Sequence, residues 1–240
     1  AQRPAMTGGF APPRFVTVRR SQLLQDGYEA LGALGPEGLR GRVRVQFMDD
    51  DGRAEAGVDG GGLFKDFMEA IMREGFAPER GLFAANTQHE LYPSRTAYVA
   101  AGGEGAGNAV LAFLGRLLGK ALWEGVLLEL PLAGFLLKAL RGGRPGLHDL
   151  PSLDAQLYRN LLALRTYSAA QLEELALTFV VTSEVALGVT REVELRPGGA
   201  ATAVTPDNVA EYIARVADWR LSGELGRPMS AFVAGVTELV

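Results

Sequence analysis

EAGVDGGGLFKDF, Glu55 to Phe67, is the stretch whose reading decides the fold. Three consecutive glycines follow an acidic residue and lead into helical apolar spacing. Phe64, Phe67, Met68, Ile71 and Met72 recur at three- and four-residue intervals, which marks one buried helix face. The glycines allow a left-handed turn and a close backbone approach just before that helix, and we read them as a turn that fixes it against the core. A phosphate-binding enzyme using Gly60 to Gly62 is the rival, and its amides would then be protected by nucleotide. The motifs fail it. After Gly62 the chain reads Leu63-Phe64-Lys65-Asp66, with no hydroxyl for a Walker A loop, and Lys65 takes the place of the last glycine of G-x-G-x-x-G.

Composition excludes several other classes. The 240 residues are enough to bury a substantial core, with 48% hydrophobic and 22% charged residues. A net charge of -4 argues against nucleic acid or an anionic membrane as partner. There is no cysteine, so the chain carries no disulfide, no thiolate metal site and no thiol nucleophile. His89 and His148 have no metal-ligand spacing, and Asp49-Asp50-Asp51-Gly52 lacks the alternation of a calcium loop. No G-x-S-x-G elbow is present. We therefore expect no metal and no cofactor. The most apolar region, Gly125 to Leu140, is interrupted by Glu129, Pro131 and Lys138 and cannot span a bilayer. The first residues, AQRPAMTGGFAPP, have neither an apolar core nor an initiating Met and read as a flexible lead-in over 1–14.

Along the chain, Phe15 to Val18 reads as a strand. Ser21 is a candidate N-cap for a helix toward Leu34, stopped by Gly35-Pro36. Arg42 to Phe47 alternates as a half-buried strand. Gly102 to Gly107 reads as a loop before a helical block, Phe113 to Phe135, which Pro131 divides into two core helices. Gly142 to Gly146 marks a boundary. Beyond it come a helix from Asp149 to Leu164, a strand over Leu175–Val181, and a strand from Arg191 to Pro197. A helix then runs from Pro206 to Leu221, with Asp207 and Asn208 in its first turn, and a last helix starts near Pro228. The expected class is α+β and predominantly helical, with a small α+β unit inserted into a large helical one.

Leu157, Leu161 and Leu164 lie at i, i+4 and i+7, and Tyr158, Leu162 and Arg165 repeat that spacing one residue on. Tyr212 and Val216, beside Ile213 and Ala217, offer a parallel case. Periodicity favours broad burial; the alternative is that one stripe is exposed and forms a shallow apolar groove for a partner.

Five blocks carry a family resemblance: EAGVDGGGLFKDF, FLGRLLGKALWEGVLLELPLAGF, DLPSLDAQLYRNL, LRPGG with VTPDNVAEYI, and AFVAGV. In this order they resemble the N-terminal lobe of the HECT ubiquitin-ligase domain, over nearly the whole chain from Phe15 to Val240. The resemblance implies a large helical subdomain over 15–146 and 218–240 and an E2-binding subdomain over 147–217. It implies an E2 ubiquitin-conjugating enzyme as partner, with ubiquitin arriving as its thioester. The acceptor cysteine would lie on a separate C-terminal lobe, beyond a hinge beginning near Val240, and the substrate would be held by regions outside this chain. Alone, the chain would bind E2 without forming a thioester. Carried over position by position, the groove would be lined by Leu157, Asn160, Leu161, Leu164, Tyr167, Leu175, Leu177, Tyr212 and Val216, and would receive an apolar loop side chain of the E2. Val216 is smaller than the family's usual residue there, and Pro206-Asp207 replaces the more usual Asn-Glu. An intracellular setting, cytoplasmic or nuclear, is expected, and the absence of cysteine fits it. A non-catalytic E2-binding or scaffold module remains the alternative, and the downstream coding sequence would discriminate the two.

Overall fold

The computed structural model describes residues 13–55, 62–186 and 189–240. Most of the glycine turn, 56–61, and most of the expected lead-in, 1–12, lie outside the described residues. The chain is predominantly helical with small two-stranded sheets, as the α+β reading expects.

β1 (Arg14–Arg19) and β2 (Val43–Met48) pair in parallel, so their connection must cross over rather than turn tightly. It does so through α1 (Leu23–Leu31) and α2 (Pro36–Arg40). Val16, Val18, Val43, Val45 and Phe47 alternate inward and are buried. Ser21 is not the N-cap. It sits inside a 3-10 turn, Arg20–Gln22, and its hydroxyl donates to Asp50 Oδ1 at 2.5 Å. α1 also ends at Leu31, short of Leu34.

α3 (Gly62–Gly75) buries the apolar face read from its spacing, including Phe64, Phe67, Met68, Ile71 and Met72. A short hairpin follows, β3 (Phe83–Ala85) against β4 (Leu91–Pro93), which the sequence pattern did not reveal. Phe83 stacks on Phe76 at 4.0 Å between ring centroids, and Phe232 meets both rings edge-on.

α4 (Ala97–Ala100) leads to the long α5 (Glu104–Glu124). The expected Gly102–Gly107 loop is therefore mostly helix. Gly107 lies against the Tyr98 backbone, so its missing side chain lets α5 pack on α4 instead of breaking there. Pro131 does not divide the block either. The helix stops at Gly125, whose φ of 71° is left-handed, and Val126 N–H donates back to Ala121 O at 2.8 Å. Residues 126–133 then form a non-helical connection in which Leu132 bridges to Leu91. The Pro131 carbonyl accepts from Leu91 N–H at 2.6 Å, and Ala133 N–H donates to Leu91 O at 3.0 Å. α6 (Gly134–Leu140) begins only after this. Lys120, buried in α5, donates to Gly41 O at 3.1 Å and to Glu124 Oε1 at 2.5 Å, with its ammonium over the Phe64 ring. That cation ties α5 to α3 and to the approach to β2.

The second half opens with α7 (Pro151–Ala163), which is not one uninterrupted helix. Asp154 has φ -149°, and its Oδ1 accepts from Leu157 N–H at 2.8 Å, capping the helix that follows. α8 (Ala169–Glu174) begins at a capping box made by Ser168 and Gln171. The strand expected from Leu175 starts instead at Val180, because Leu175 and Ala176 finish α8, with Ala176 at φ 47°. β5 (Val180–Ala186) pairs antiparallel with β6 (Val189–Glu194), so the second strand also ends before Pro197. α9 (Val209–Asp218) starts later than expected. Asn208 Oδ1 accepts from Thr205 N–H and its amide donates to Ala203 O, which holds 206–208 as a turn. A π-helical turn, Trp219–Gly223, joins α9 to α10 (Gly226–Thr237), which packs along α5.

Candidate functional site

The nine groove candidates come from α7 and the 3-10 turn after it, the two ends of α8, and α9. Leu161, Leu164, Tyr212 and Val216 are buried, at 4%, 9%, 8% and 4% exposure. The i, i+4, i+7 stripe of α7 turns inward, and α9 presents its i, i+4 pair to the same interior. Leu157 and Leu177 are half-buried against this core. Asn160 is exposed, Tyr167 is 37% exposed and Leu175 is 45% exposed. Six candidates therefore belong to one continuous apolar interior, and three are within a partner's reach.

Both stripes of α9 are covered, since Ile213 and Ala217 are fully buried beside Tyr212 and Val216. Broad burial is thus what the spacing meant there. The Tyr212 ring meets Phe179 edge-on, 5.5 Å between centroids, and burial pushes its phenol up from the ordinary value. On α7, Tyr158 and Leu162 are half-buried while Arg165 is exposed.

Charge frames the surface without entering it. The Glu211 carboxylate accepts from Arg215 at 2.8 Å and from Arg196 at 3.0 Å, and these guanidiniums hold it below the usual carboxylate range. Arg196 also lies over the Phe179 ring at 5.1 Å, and Arg215 donates to Leu195 O at 3.0 Å. Asn160 Oδ1 accepts from Gln156 at 2.8 Å. Arg159 and Arg165 are exposed on the α7 side, Glu173 and Glu174 on α8. The set offers apolar contact and polar rims; it assembles no nucleophile with a base, in a chain without cysteine.

Sequence reading missed α8 and its cap, although Ser168-x-x-Gln171 is a capping-box pattern. Gln171 Oε1 accepts from Ser168 N–H at 2.9 Å, and the short helix places Leu172 in the core between exposed Tyr167 and Leu175. Phe179, inside the stretch 175–181 read as a strand, is fully buried beneath Arg196 and Tyr212. A groove of about 610 Å³ lies apart from these residues, lined by Met72, Phe76, Leu91, Leu128 and Leu130 among others.

Comparison with known proteins gives the arrangement its context. The family profile "HECT-domain (ubiquitin-transferase)" matches residues 69–240. E3 ubiquitin-protein ligase UPL6 of Arabidopsis thaliana is 40% identical over 239 residues, covering 97% of this chain and 22% of that protein. Human Ubiquitin-protein ligase E3B is 35% identical over 231 residues, covering 94% of this chain and 21% of its own length. E3 ubiquitin-protein ligase HUL5 of Saccharomyces cerevisiae is 35% identical over 228 residues, covering 93% and 24%. The chain thus spans less than a quarter of the length of each of these relatives. With the profile matching well over half of its residues, the chain belongs to the HECT-domain family.

Proposed function

We propose that this chain is the E2-recruiting lobe of a HECT-type ubiquitin ligase. Residues 147–217 form the E2-docking unit, and 15–146 with 218–240 form its support. The lobe holds an E2 carrying ubiquitin as a thioester. A thiolate outside this chain then attacks the thioester carbonyl, and the E2 thiolate leaves. Ubiquitin passes from there to a substrate lysine. The observation that carries the reading is the pairing of exposed Tyr167 and Leu175 at the two ends of a capped helix whose own Leu172 is buried. The family membership supplies the partner's chemistry. Aromatic and aliphatic groups held on a rigid base suit a single inserted apolar side chain. A hand-off partner must also leave, so we expect micromolar affinity or weaker, roughly 6–8 kcal/mol.

Isotope-detected NMR titration with a panel of E2 enzymes tests this. One E2 should shift the resonances of Asn160, Tyr167 and Leu175 in a saturable way. Tyr167→Ala and Leu175→Ala are the informative variants, because Leu161 is buried and Leu161→Asp would damage the fold itself. Shifts from no E2, or shifts confined to other surfaces, would sink the proposal. So would a ubiquitin adduct sensitive to reductant on this polypeptide, which has no thiol to form one.

A further inference from the structure

Among the described residues, β1 pairs only with β2 and its outer edge is open. Arg14 pairs with Val43 and donates to Arg42 O at 2.8 Å, so residues 14, 16 and 18 address β2. The N–H and C=O groups of Phe15 and Thr17 then point the other way. Among the described residues nothing bonds to these four groups. The next outward position is closed, because Arg19 N–H donates to Asp26 Oδ2 at 2.8 Å. An edge with free donors and acceptors is a template for a further strand.

The side chains at this edge say what kind of strand. Phe15 is 70% exposed, and its cross-strand neighbour Arg44 lies over its ring at 5.8 Å. Arg44 Nε is buried without a hydrogen-bond partner. Arg19 and Arg20, farther along, are matched by Asp26 and Glu55. Arg14, Arg42 and Arg44 make no ion pair among the described residues. Three arginines without an ion pair among the described residues thus lie at one end of the sheet, Arg44 on the face of Phe15 and Arg14 on the other, in a chain whose net charge is -4.

We propose that the β1 edge receives an extended acidic segment of a partner protein as a third strand. Its backbone would satisfy Phe15 and Thr17, an apolar side chain would cover Phe15, and carboxylates would meet the arginines. Three arginines on an acidic chain are too few to hold nucleic acid, and free strand groups select a backbone.

Selection from a phage-displayed random peptide library on the intact chain tests the idea, with synthetic copies of the winners as probes. Acidic sequences should be enriched, and their binding should slow amide exchange at Phe15 and Thr17. Arg44→Glu should weaken them roughly tenfold or more. Phe15→Ala should weaken them too, and its exposed position lets it fold. Thr17→Pro removes an outward N–H without touching the ladder and should also weaken binding. The proposal is overturned by winners without acidic bias, by exchange unchanged at both amides, by affinity indifferent to Arg44→Glu and Phe15→Ala, or by a short DNA duplex binding where no peptide does.

Discussion

Gly235→Ala should destabilise the chain sharply although alanine is the better helix former. α5 and α10 lie so close that a Cβ on Gly235 would stand 2.1 Å from Ala112 O, and one on Gly115 2.2 Å from Phe232 O. These obstacles are backbone and cannot swing aside. Restoring ordinary contact requires the helices to part by about 1 Å, which opens gaps along the seam where α5 meets Phe232, Val236 and Leu239 of the last helix. Overpacking of this kind costs about 3 kcal/mol. The helix propensity of alanine returns up to about 1 kcal/mol. The net loss of about 2 kcal/mol corresponds to a fall in Tm of roughly 4–8 °C for a chain of this size. Gly105→Ala is the internal control: nothing lies within 4 Å of its Cβ position, in the exposed first turn of α5. It should gain about 0.5 kcal/mol from the same propensity term. Differential scanning calorimetry reads both. An unchanged or raised Tm for Gly235→Ala, or an equal fall for Gly105→Ala, would refute the reasoning that close helix approach, and not helicity, selects these glycines.

Ala176→Gly should stabilise the chain by up to about 1 kcal/mol in urea denaturation, because φ 47° strains any residue with a Cβ. A loss of stability would mean that the left-handed turn is not held in solution. Asp26 accepts from the Arg19 guanidinium at 2.6 and 2.9 Å, and that bond holds its carboxyl below the usual range. A depressed pKa contributes stability above the unfolded value, near pH 4, and loses it as pH falls through the folded value. Asp26→Asn should therefore lower stability at neutral pH and flatten its decline below about pH 4, and an unaltered acid limb in pH-dependent denaturation would rule the pairing out.

Much of this was legible in the sequence where periodicity and chemistry agreed. The α3 face and the alternation of β2 are buried as their spacing requires, and of the α7 stripe Leu161 and Leu164 are buried while Leu157 is half-covered. Glycine and proline misled in both directions. Gly102–Gly107 reads as a breaker, yet Gly107 is there for its missing side chain, packed on α4. Pro131 reads as the helix divider, yet Gly125 ends the helix and Pro131 rests in a non-helical connection whose partner, Leu91, is forty residues away. No local pattern encodes that partner. The groove residues were named from their positions in the family pattern, and spacing alone could not separate covered Leu161 from exposed Leu175. That distinction depends on how α8 is capped and on the left-handed Ala176 that follows it.

The most direct test is the affinity of a responsive E2 for the wild-type chain against a Tyr167→Ala, Leu175→Ala double variant, measured by calorimetry. Burying the exposed 45% of Leu175 contributes about 0.7–1.4 kcal/mol, and Tyr167 a similar amount. The account predicts that the dissociation constant rises by roughly ten- to a hundredfold while the Tm stays within a few degrees. An unchanged dissociation constant in a folded double variant would contradict it, and would move E2 recruitment away from this surface.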